Sequence, residues 1–134
     1  FLENLKTVEK DAFYGCTALK TVALSSKLTA VSSATFFGCS ELTAITLPAT
    51  VKTIENNAFY GCTSLIYVGL NDGLEYIPQY AFYGCISLEE IALPLSVRYL
   101  SSYAFANCSS LKKVDMTPAM YMINSYAFNN CVSL

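Results

Sequence analysis

The six cysteines of this chain recur at one fixed interval, and that interval constrains the fold more than any other feature. They occupy positions 16, 39, 62, 85, 108 and 131, so every successive pair is 23 residues apart. A fixed period of about 20 to 50 residues is typical of repeat architectures, in which each unit packs on its neighbours. The sequence therefore predicts a solenoid of stacked coils rather than an ordinary globular domain.

A five-residue sequence motif ends at each cysteine. Residues 58–62 read Ala-Phe-Tyr-Gly-Cys, and residues 12–16 and 81–85 repeat it letter for letter. In the last two copies the motif is less regular, and Asn107 and Asn130 replace the glycine. Glycine suits a turn with positive φ, so these glycines indicate a repeated turn and not a phosphate-binding loop.

Apolar residues fill equivalent positions after each cysteine. Leu42, Ile45 and Leu47 are the third, sixth and eighth residues after Cys39. Alternation at the sixth and eighth positions predicts a half-buried strand. A second apolar pair, 12 and 15 residues after each cysteine, predicts a shorter extended piece. The Ala-Phe pair and the cysteine are expected to close the coil in one helical or 3₁₀ turn.

The length of the repeat limits how the coils connect. Twenty-three residues are too few for two long elements joined by an ordinary βα crossover. Stacking pairs equivalent strands in parallel, about 4.8 Å apart, and the usual crossover rule predicts a right-handed path. We expect a β-rich α/β solenoid of about six coils, with a parallel sheet on the concave wall and short extended, 3₁₀ or helical turns elsewhere.

The pattern Leu-x-x-Ile-x-Leu-Pro, Val-x-x-Ile, Ala-Phe-x-x-Cys resembles the BspA-like, treponemal class of leucine-rich repeats. In one copy its residues are Leu42, Ile45, Leu47, Pro48, Val51, Ile54, Ala58, Phe59 and Cys62. The resemblance covers essentially the whole chain, although Ser25, Asn71 and Thr117 depart from it by replacing the proline. It implies a leucine-rich-repeat solenoid in a cell-surface or secreted protein of bacteria or protozoa, often an adhesin for host matrix proteins.

Both ends of the sequence fall inside a repeat. Phe1 occupies the position of Leu47, and Leu134 occupies that of Leu42. Natural arrays close with polar capping repeats. We therefore expect residues 1–134 to form a single uncapped domain cut from a longer array. A bare terminal coil should also promote a dimer or small oligomer through that exposed end.

Composition argues against several classes of function. A net charge of −2 with 13 % charged residues gives no basic footprint for nucleic acid. The 54 % apolar content is spread along the repeat without a run long enough to insert into a membrane. The chain has no histidine and no closely spaced cysteines, so no metal site, cofactor or enzymatic activity is predicted.

The cysteines allow two interpretations. An even count in a short, extracellular chain permits disulfides. Equivalent side chains in a stack, however, point the same way, which suits disulfide geometry poorly. We favour a column of buried free thiols, one for each coil.

Tyrosines are the most informative candidate surface residues. They concentrate in the C-terminal half. In the N-terminal coils the equivalent positions hold Ala30, Ala34, Thr53 and Asn57. Tyrosine offers a large amphipathic contact area, although stacked rings can also simply shield a wall. The candidate protein-binding residues are Tyr67, Tyr76, Tyr80, Tyr99, Tyr103, Tyr121, Tyr126, Glu90 and Lys113.

The sequence and its resemblance together predict a non-enzymatic protein-binding module that adheres to host or extracellular-matrix proteins. Two alternatives remain open: a passive spacer, and a repeat domain that regulates an attached domain.

Overall fold

A computed structural model describes residues 3–134 as similar coils, each with two short extended pieces and a tight turn. The strands are β1 Ala30–Val31, β2 Ala44–Thr46, β3 Thr53–Ile54, β4 Tyr67–Gly69, β5 Tyr76–Ile77, β6 Glu90–Ala92, β7 Tyr99–Leu100, β8 Lys113–Asp115 and β9 Met122–Ile123. All pairings between them are parallel. The chain is therefore a parallel β-solenoid, and its described part contains no helix.

The even-numbered strands form the main wall. Ile45 pairs with Val68, and Glu90 pairs with Lys113. An isolated bridge between Thr21 and Ala44 extends this wall towards the N-terminus. Each pair is separated by one 23-residue repeat, so the predicted strand register is confirmed.

The odd-numbered strands form a second wall, and both walls are interrupted beside the same coil. On the main wall β2 pairs with β4 and β6 with β8, but no ladder joins β4 to β6. On the second wall β1 pairs with β3 and β5 with β7 and β9, but no ladder joins β3 to β5. The coil that carries β4 and β5 has Asn71-Asp72-Gly73 where its neighbours have proline-containing turns. The predicted single parallel sheet is thus divided.

The Ala-Phe-x-x-Cys segments form the turn wall, which is continuous. Phe59 N–H donates to Ala81 O at 2.8 Å, and Gly61 N–H donates to Tyr83 O at 2.8 Å. Equivalent bonds join the neighbouring coils. This wall ties the coils together where the strand ladders are interrupted.

The expected helical turn is replaced by separate tight turns. Tyr60 N–H donates to Asn57 O at 3.1 Å, and Cys62 N–H donates to Phe59 O at 3.3 Å. Asn57 (φ 60°) and Gly61 (φ 69°) interrupt any run of helical dihedrals. The hand of the solenoid and its number of coils stay predictions.

The core is a stripe of apolar side chains enclosed by the three walls. A column of phenylalanine rings runs through it, with neighbouring centroids 5.2 to 5.6 Å apart and nearly parallel planes. The predicted buried set is confirmed for Phe59, Cys62, Leu65, Val68, Leu74, Ile77 and Phe82.

The prediction that Leu70 is nearly fully buried is wrong. Leu70 is half-buried and lines a surface cavity of about 340 Å³ beside β4 and β6. This cavity lies where the main-wall ladder is interrupted, so Leu70 is not covered as Leu47 and Leu93 are.

Apolar positions of the last coil are open to solvent. Met116 and Ile123 are exposed, whereas the equivalent Leu93 and Leu100 are buried. Within residues 3–134 no further coil packs on them. Association through this coil stays a prediction.

Candidate functional site

The nine predicted binding residues lie in three separate clusters. The main-wall cluster is Tyr67, Glu90 and Lys113; the second-wall cluster is Tyr76, Tyr99 and Tyr121; the turn-wall cluster is Tyr80, Tyr103 and Tyr126. The members of each cluster are grouped by direct contacts. Tyr76 pairs with Tyr99 and Glu90 with Lys113 in strand register, and ring contacts join Tyr80 to Tyr103 and Tyr99 to Tyr121. The nine residues therefore offer three candidate surfaces and not one site.

The main-wall cluster borders the interruption between β4 and β6. Tyr67, Glu90 and Lys113 line the 340 Å³ cavity that also contacts Leu70. The Nζ of Lys113 lies 3.0 Å from the carboxylate of Asp115, and this hydrogen bond raises the pKa of Lys113. Because these charges are solvated, their pairing adds little to stability. The cluster is a shallow surface of mixed charge.

The second-wall cluster follows the pairing of β5 with β7. Tyr76 pairs with Tyr99, and their exposed fractions are 39 % and 40 %. The ring of Tyr121, which is 75 % exposed, meets the ring of Tyr99 at a centroid distance of 5.7 Å and an angle of 64°. Ala30 and Thr53 occupy the position of Tyr76 in earlier coils. This position therefore does not require an aromatic side chain for the fold.

The turn-wall cluster is a stack of parallel rings. Tyr80 lies 5.1 Å from Tyr103, and Tyr103 lies 5.0 Å from Tyr126, with interplanar angles of 12° and 14°. All three residues have positive φ, between 57° and 61°. Bulky residues rarely adopt this conformation, so the backbone here is strained.

A second ring column lies beside this cluster. Phe37 stacks between Tyr14 and Tyr60, and Tyr60 stacks on Tyr83, with centroid distances of 4.5 to 4.6 Å. Tyr80 joins the two columns, because its ring meets Tyr83 edge-on at 5.7 Å and Tyr60 at 6.3 Å. This junction was not identified from the sequence. The three-residue separation of Tyr80 and Tyr83 across a tight turn is the signal that could have revealed it.

The thiols form a column along the turn wall. The predicted burial is confirmed for Cys39, Cys62, Cys85 and Cys108 but is wrong for Cys16, which is exposed at the first coil, and Cys131 in the last coil is half-buried. The Sγ of Cys62 donates to Phe36 O at 3.1 Å, and equivalent bonds recur along the column. Loss of solvent, together with the neighbouring thiols, raises the pKa of Cys62 and Cys108 to about 12. Such thiols are poor nucleophiles and poor metal ligands at neutral pH.

No group of three or more potential metal ligands occurs within residues 3–134. Among the same residues no helix is long and apolar enough to span a bilayer.

Comparison with known proteins places the repeat in a family. The sequence model described as a BspA type leucine rich repeat region matches residues 6–134 in six copies. Comparison with functionally curated proteins gives no match.

Several solved structures share the fold. A leucine-rich repeat protein from Bacteroides ovatus has a TM-score of 0.72 and 26 % identity, covering 90 % of this chain and 37 % of its own. The Leucine Rich Repeat protein of T. pallidum has a TM-score of 0.72 and 26 % identity, covering 95 % of this chain and 70 % of its own. A leucine-rich repeat protein from Eubacterium ventriosum, 21 % identical with a TM-score of 0.66, covers 84 % of this chain and 37 % of its own and shares the fold alone.

This chain therefore spans little more than a third of the Bacteroides protein. The six in-phase copies, matched over nearly the whole sequence, show that the chain belongs to the BspA-type leucine-rich-repeat family.

Proposed function

We propose that this chain is the protein-binding part of a cell-surface or secreted adhesive protein whose partner is a host or extracellular-matrix protein. Leucine-rich repeats of this family serve generally as protein-interaction modules and are generally non-enzymatic. Bacterial BspA-type proteins are typically found at the cell surface or secreted. Host and matrix adhesion is the more specific part of the proposal.

The observation that carries the proposal is the exposure of tyrosines in the C-terminal half. Tyr67, Tyr76, Tyr99, Tyr121 and Tyr126 are all exposed. No side-chain nitrogen or oxygen is buried without a partner in the described part of the chain. The tyrosine hydroxyls make no hydrogen bond within the protein there, so they are open to solvent. Tyrosine is among the side chains that are enriched at the centres of protein interfaces.

The surrounding charges favour contact without strong electrostatic steering. Glu90 and Lys113 lie opposite each other, and Lys112 pairs with Glu89 at 2.9 Å. Positive and negative groups thus alternate on the main wall, and the chain carries a net charge of only −2. Association with a partner should depend only weakly on salt.

The experiment uses substitutions that the chain already carries elsewhere. Tyr76→Thr and Tyr99→Thr reproduce Thr53 at the same repeat position, so the fold should be retained. Binding to immobilised collagen, laminin and fibronectin is measured by surface plasmon resonance. We expect at least one of these proteins to bind, and the double variant to bind more than about tenfold more weakly.

The matched control is Leu95→Ala. Leu95 is 71 % exposed and lies outside the three clusters, and Ala49 holds the same position in an earlier coil. This variant should bind as the parent chain does. Failure of the parent chain to bind any of the three proteins, or equal binding by the tyrosine variant, would contradict the proposal.

A further inference from the structure

The turn wall carries a continuous strip of aromatic rings, here called the aromatic ribbon. It consists of the column Tyr14, Phe37, Tyr60 and Tyr83 followed by the turn-wall cluster Tyr80, Tyr103 and Tyr126. One column ends where the other begins, because the repeats after Tyr83 have Ala106 and Asn129 in its position. At least one ring therefore lies on this wall in every copy of the turn.

The second half of the ribbon holds its rings at strained positions. Asn57, which tolerates positive φ well, precedes Tyr80 by one repeat at φ 60°. Tyr80, Tyr103 and Tyr126 adopt the same conformation, although a ring in the position of Ala106 would avoid it. Strain of this kind is often found at binding sites, where the surroundings hold it in place. The rings at these strained positions therefore mark this half of the ribbon as a candidate contact surface.

The turn wall around these rings is uncharged. Residues 78–85, 101–108 and 124–131 contain no Asp, Glu, Lys or Arg. Their polar groups are hydroxyls and amides, which include the free tyrosine hydroxyls. Loss of solvent and the neighbouring Tyr83 and Tyr80 raise the pKa of Tyr60, and tyrosine hydroxyls in general are protonated donors at neutral pH. A partner should present neutral hydrogen-bond acceptors and compact apolar groups.

The ring geometry favours one class of neutral partner. Stacked neighbours cover the faces of Tyr103, so its edge and hydroxyl are what it presents. Sugars bind mainly by lying flat on open aromatic faces, which Tyr103 at the centre of the stack does not offer. At Tyr80, however, the rings of Tyr60 and Tyr83 stand at 58° and 68° to it and form a corner. Aromatic corners and grooves accept the rings of proline-rich segments.

The spacing of the rings also fits such a segment. Successive rings of the turn-wall cluster lie 5.1 and 5.0 Å apart, so Tyr80 and Tyr126, on either side of Tyr103, lie about 10 Å apart. A polyproline II helix rises about 9.3 Å per turn and leaves its carbonyls free for hydrogen bonds. An extended β-strand repeats at about 6.8 Å and falls out of register with these rings.

We propose that the aromatic ribbon binds a proline-rich segment in the polyproline II conformation, lying along the solenoid axis across Tyr80, Tyr103 and Tyr126. This inference rests on the proposed protein-binding function and names the partner class for one of its three surfaces. The tyrosine hydroxyls donate to the carbonyls of the segment, and proline rings pack in the corner at Tyr80.

The probe is fluorescein-labelled decaproline, titrated with the chain and followed by fluorescence anisotropy. The comparison peptide is a Gly-Ser decapeptide, which is flexible and lacks the polyproline II preference. Decaproline should bind at least about tenfold more tightly than the Gly-Ser peptide. Equal binding of the two peptides, or no binding of decaproline, overturns the inference.

Two sets of substitutions locate the site. Replacing Tyr80, Tyr103 and Tyr126 by Asn reproduces Asn57 and should lower the affinity for decaproline more than about tenfold. Replacing the same three residues by Phe retains the rings, removes only the hydroxyls and should lower the affinity several-fold. Leu95→Ala should leave it unchanged, and circular dichroism verifies the fold of each variant.

The outcomes separate this inference from the proposed function. Unchanged affinity in a folded Asn variant overturns the inference; if that variant does not fold, unchanged affinity in the Phe variant does so. Competition by dextran, a neutral polysaccharide, but not by unlabelled decaproline assigns the ribbon to carbohydrate and also overturns it. If the chain binds a matrix protein but not decaproline, only the ribbon inference is overturned. If it binds decaproline but no matrix protein, the ribbon site is supported and the proposed adhesion to matrix proteins is overturned.

Discussion

The thiol of Cys62 donates a hydrogen bond to the carbonyl oxygen of Phe36, 3.1 Å away in the preceding coil. The same oxygen accepts the N–H of Cys39 at 3.2 Å. One carbonyl thus closes a turn within its own coil and links that turn to the next coil. Cysteine suits this position because it packs as a small apolar residue and still supplies a weak donor.

The first prediction concerns alkaline pH. Burial raises the pKa of Cys39 from 9.0 to about 11 and that of Cys62 and Cys108 to about 12. Below pH 9 these thiols are protonated in both states, so their contribution does not vary. Above pH 9 the unfolded chain releases protons that the folded chain retains, so stability falls with rising pH. Each such thiol therefore makes the free energy of unfolding decrease with pH between pH 9 and its folded pKa.

Urea unfolding under reducing conditions at pH 8, 9.5 and 10.5 measures this loss. The matched control is Cys62→Ala with Cys85→Ala, because burial raises the pKa of both thiols. Its free energy of unfolding should fall less steeply with pH than that of the parent chain. Identical slopes would show that the thiols do not cause the alkaline loss.

A second prediction concerns thiol access in the folded chain. Cys16 is exposed, whereas Cys39, Cys62, Cys85 and Cys108 are fully buried. Iodoacetamide at pH 8 should therefore modify Cys16 rapidly and these four only as the chain unfolds. Mass spectrometry of digested samples, taken over time with and without urea, gives the rates. Rapid modification of Cys62 in the folded chain would contradict the buried column.

A third prediction compares two leucines of one coil. Leu65 is fully buried, so Leu65→Ala should cost about 2 to 5 kcal/mol of unfolding free energy. Leu70 is half-buried beside the main-wall cavity, so Leu70→Ala should cost less than about 2 kcal/mol, because less apolar area is lost. Urea unfolding of both variants measures the difference. Equal losses would mean that Leu70 is packed as tightly as Leu65.

A fourth prediction tests the glycine of the repeated turn. Gly61 has φ 69°, and a Cβ atom built there would lie 3.9 Å from Gly38, so conformation rather than space restricts the position. Gly61→Ala should cost about 1 to 2 kcal/mol. Gly61→Asn should cost less, because Asn107 and Asn130 hold φ 60° and 58° at the equivalent position. Thermal unfolding compares the two variants, and a costlier Asn would contradict the explanation.

The repeat period predicts which residues meet between coils. The pairing of Ile45 with Val68 and of Glu90 with Lys113 follows from a constant separation of 23 residues. The ring stacks have the same origin, because identical positions in adjacent coils lie one above the other. Sequence reasoning therefore succeeded wherever the structure depends on equivalence between repeats.

Features that depend on differences between repeats could not be predicted in this way. The half-burial of Leu70 follows from an interrupted ladder beside the Asn71-Asp72-Gly73 turn. Shifts of about an ångström decide whether strands form hydrogen bonds, and apolar periodicity does not record them. The contact of Tyr80 with Tyr83 likewise depends on how sharply one turn bends. The nine candidate binding residues could be named from the sequence, but their division into three separate clusters could not.

The interrupted ladders also bear on how the chain opens. In a linear array, stability is shared between individual repeats and the interfaces that join neighbours. The coil with β4 and β5 has one interface without a second-wall ladder and another without a main-wall ladder. Both of its junctions therefore rely on the turn wall more than the others do. Amide hydrogens of this coil should exchange with solvent earliest among the interior coils, making it the point where cooperative unfolding of the array divides.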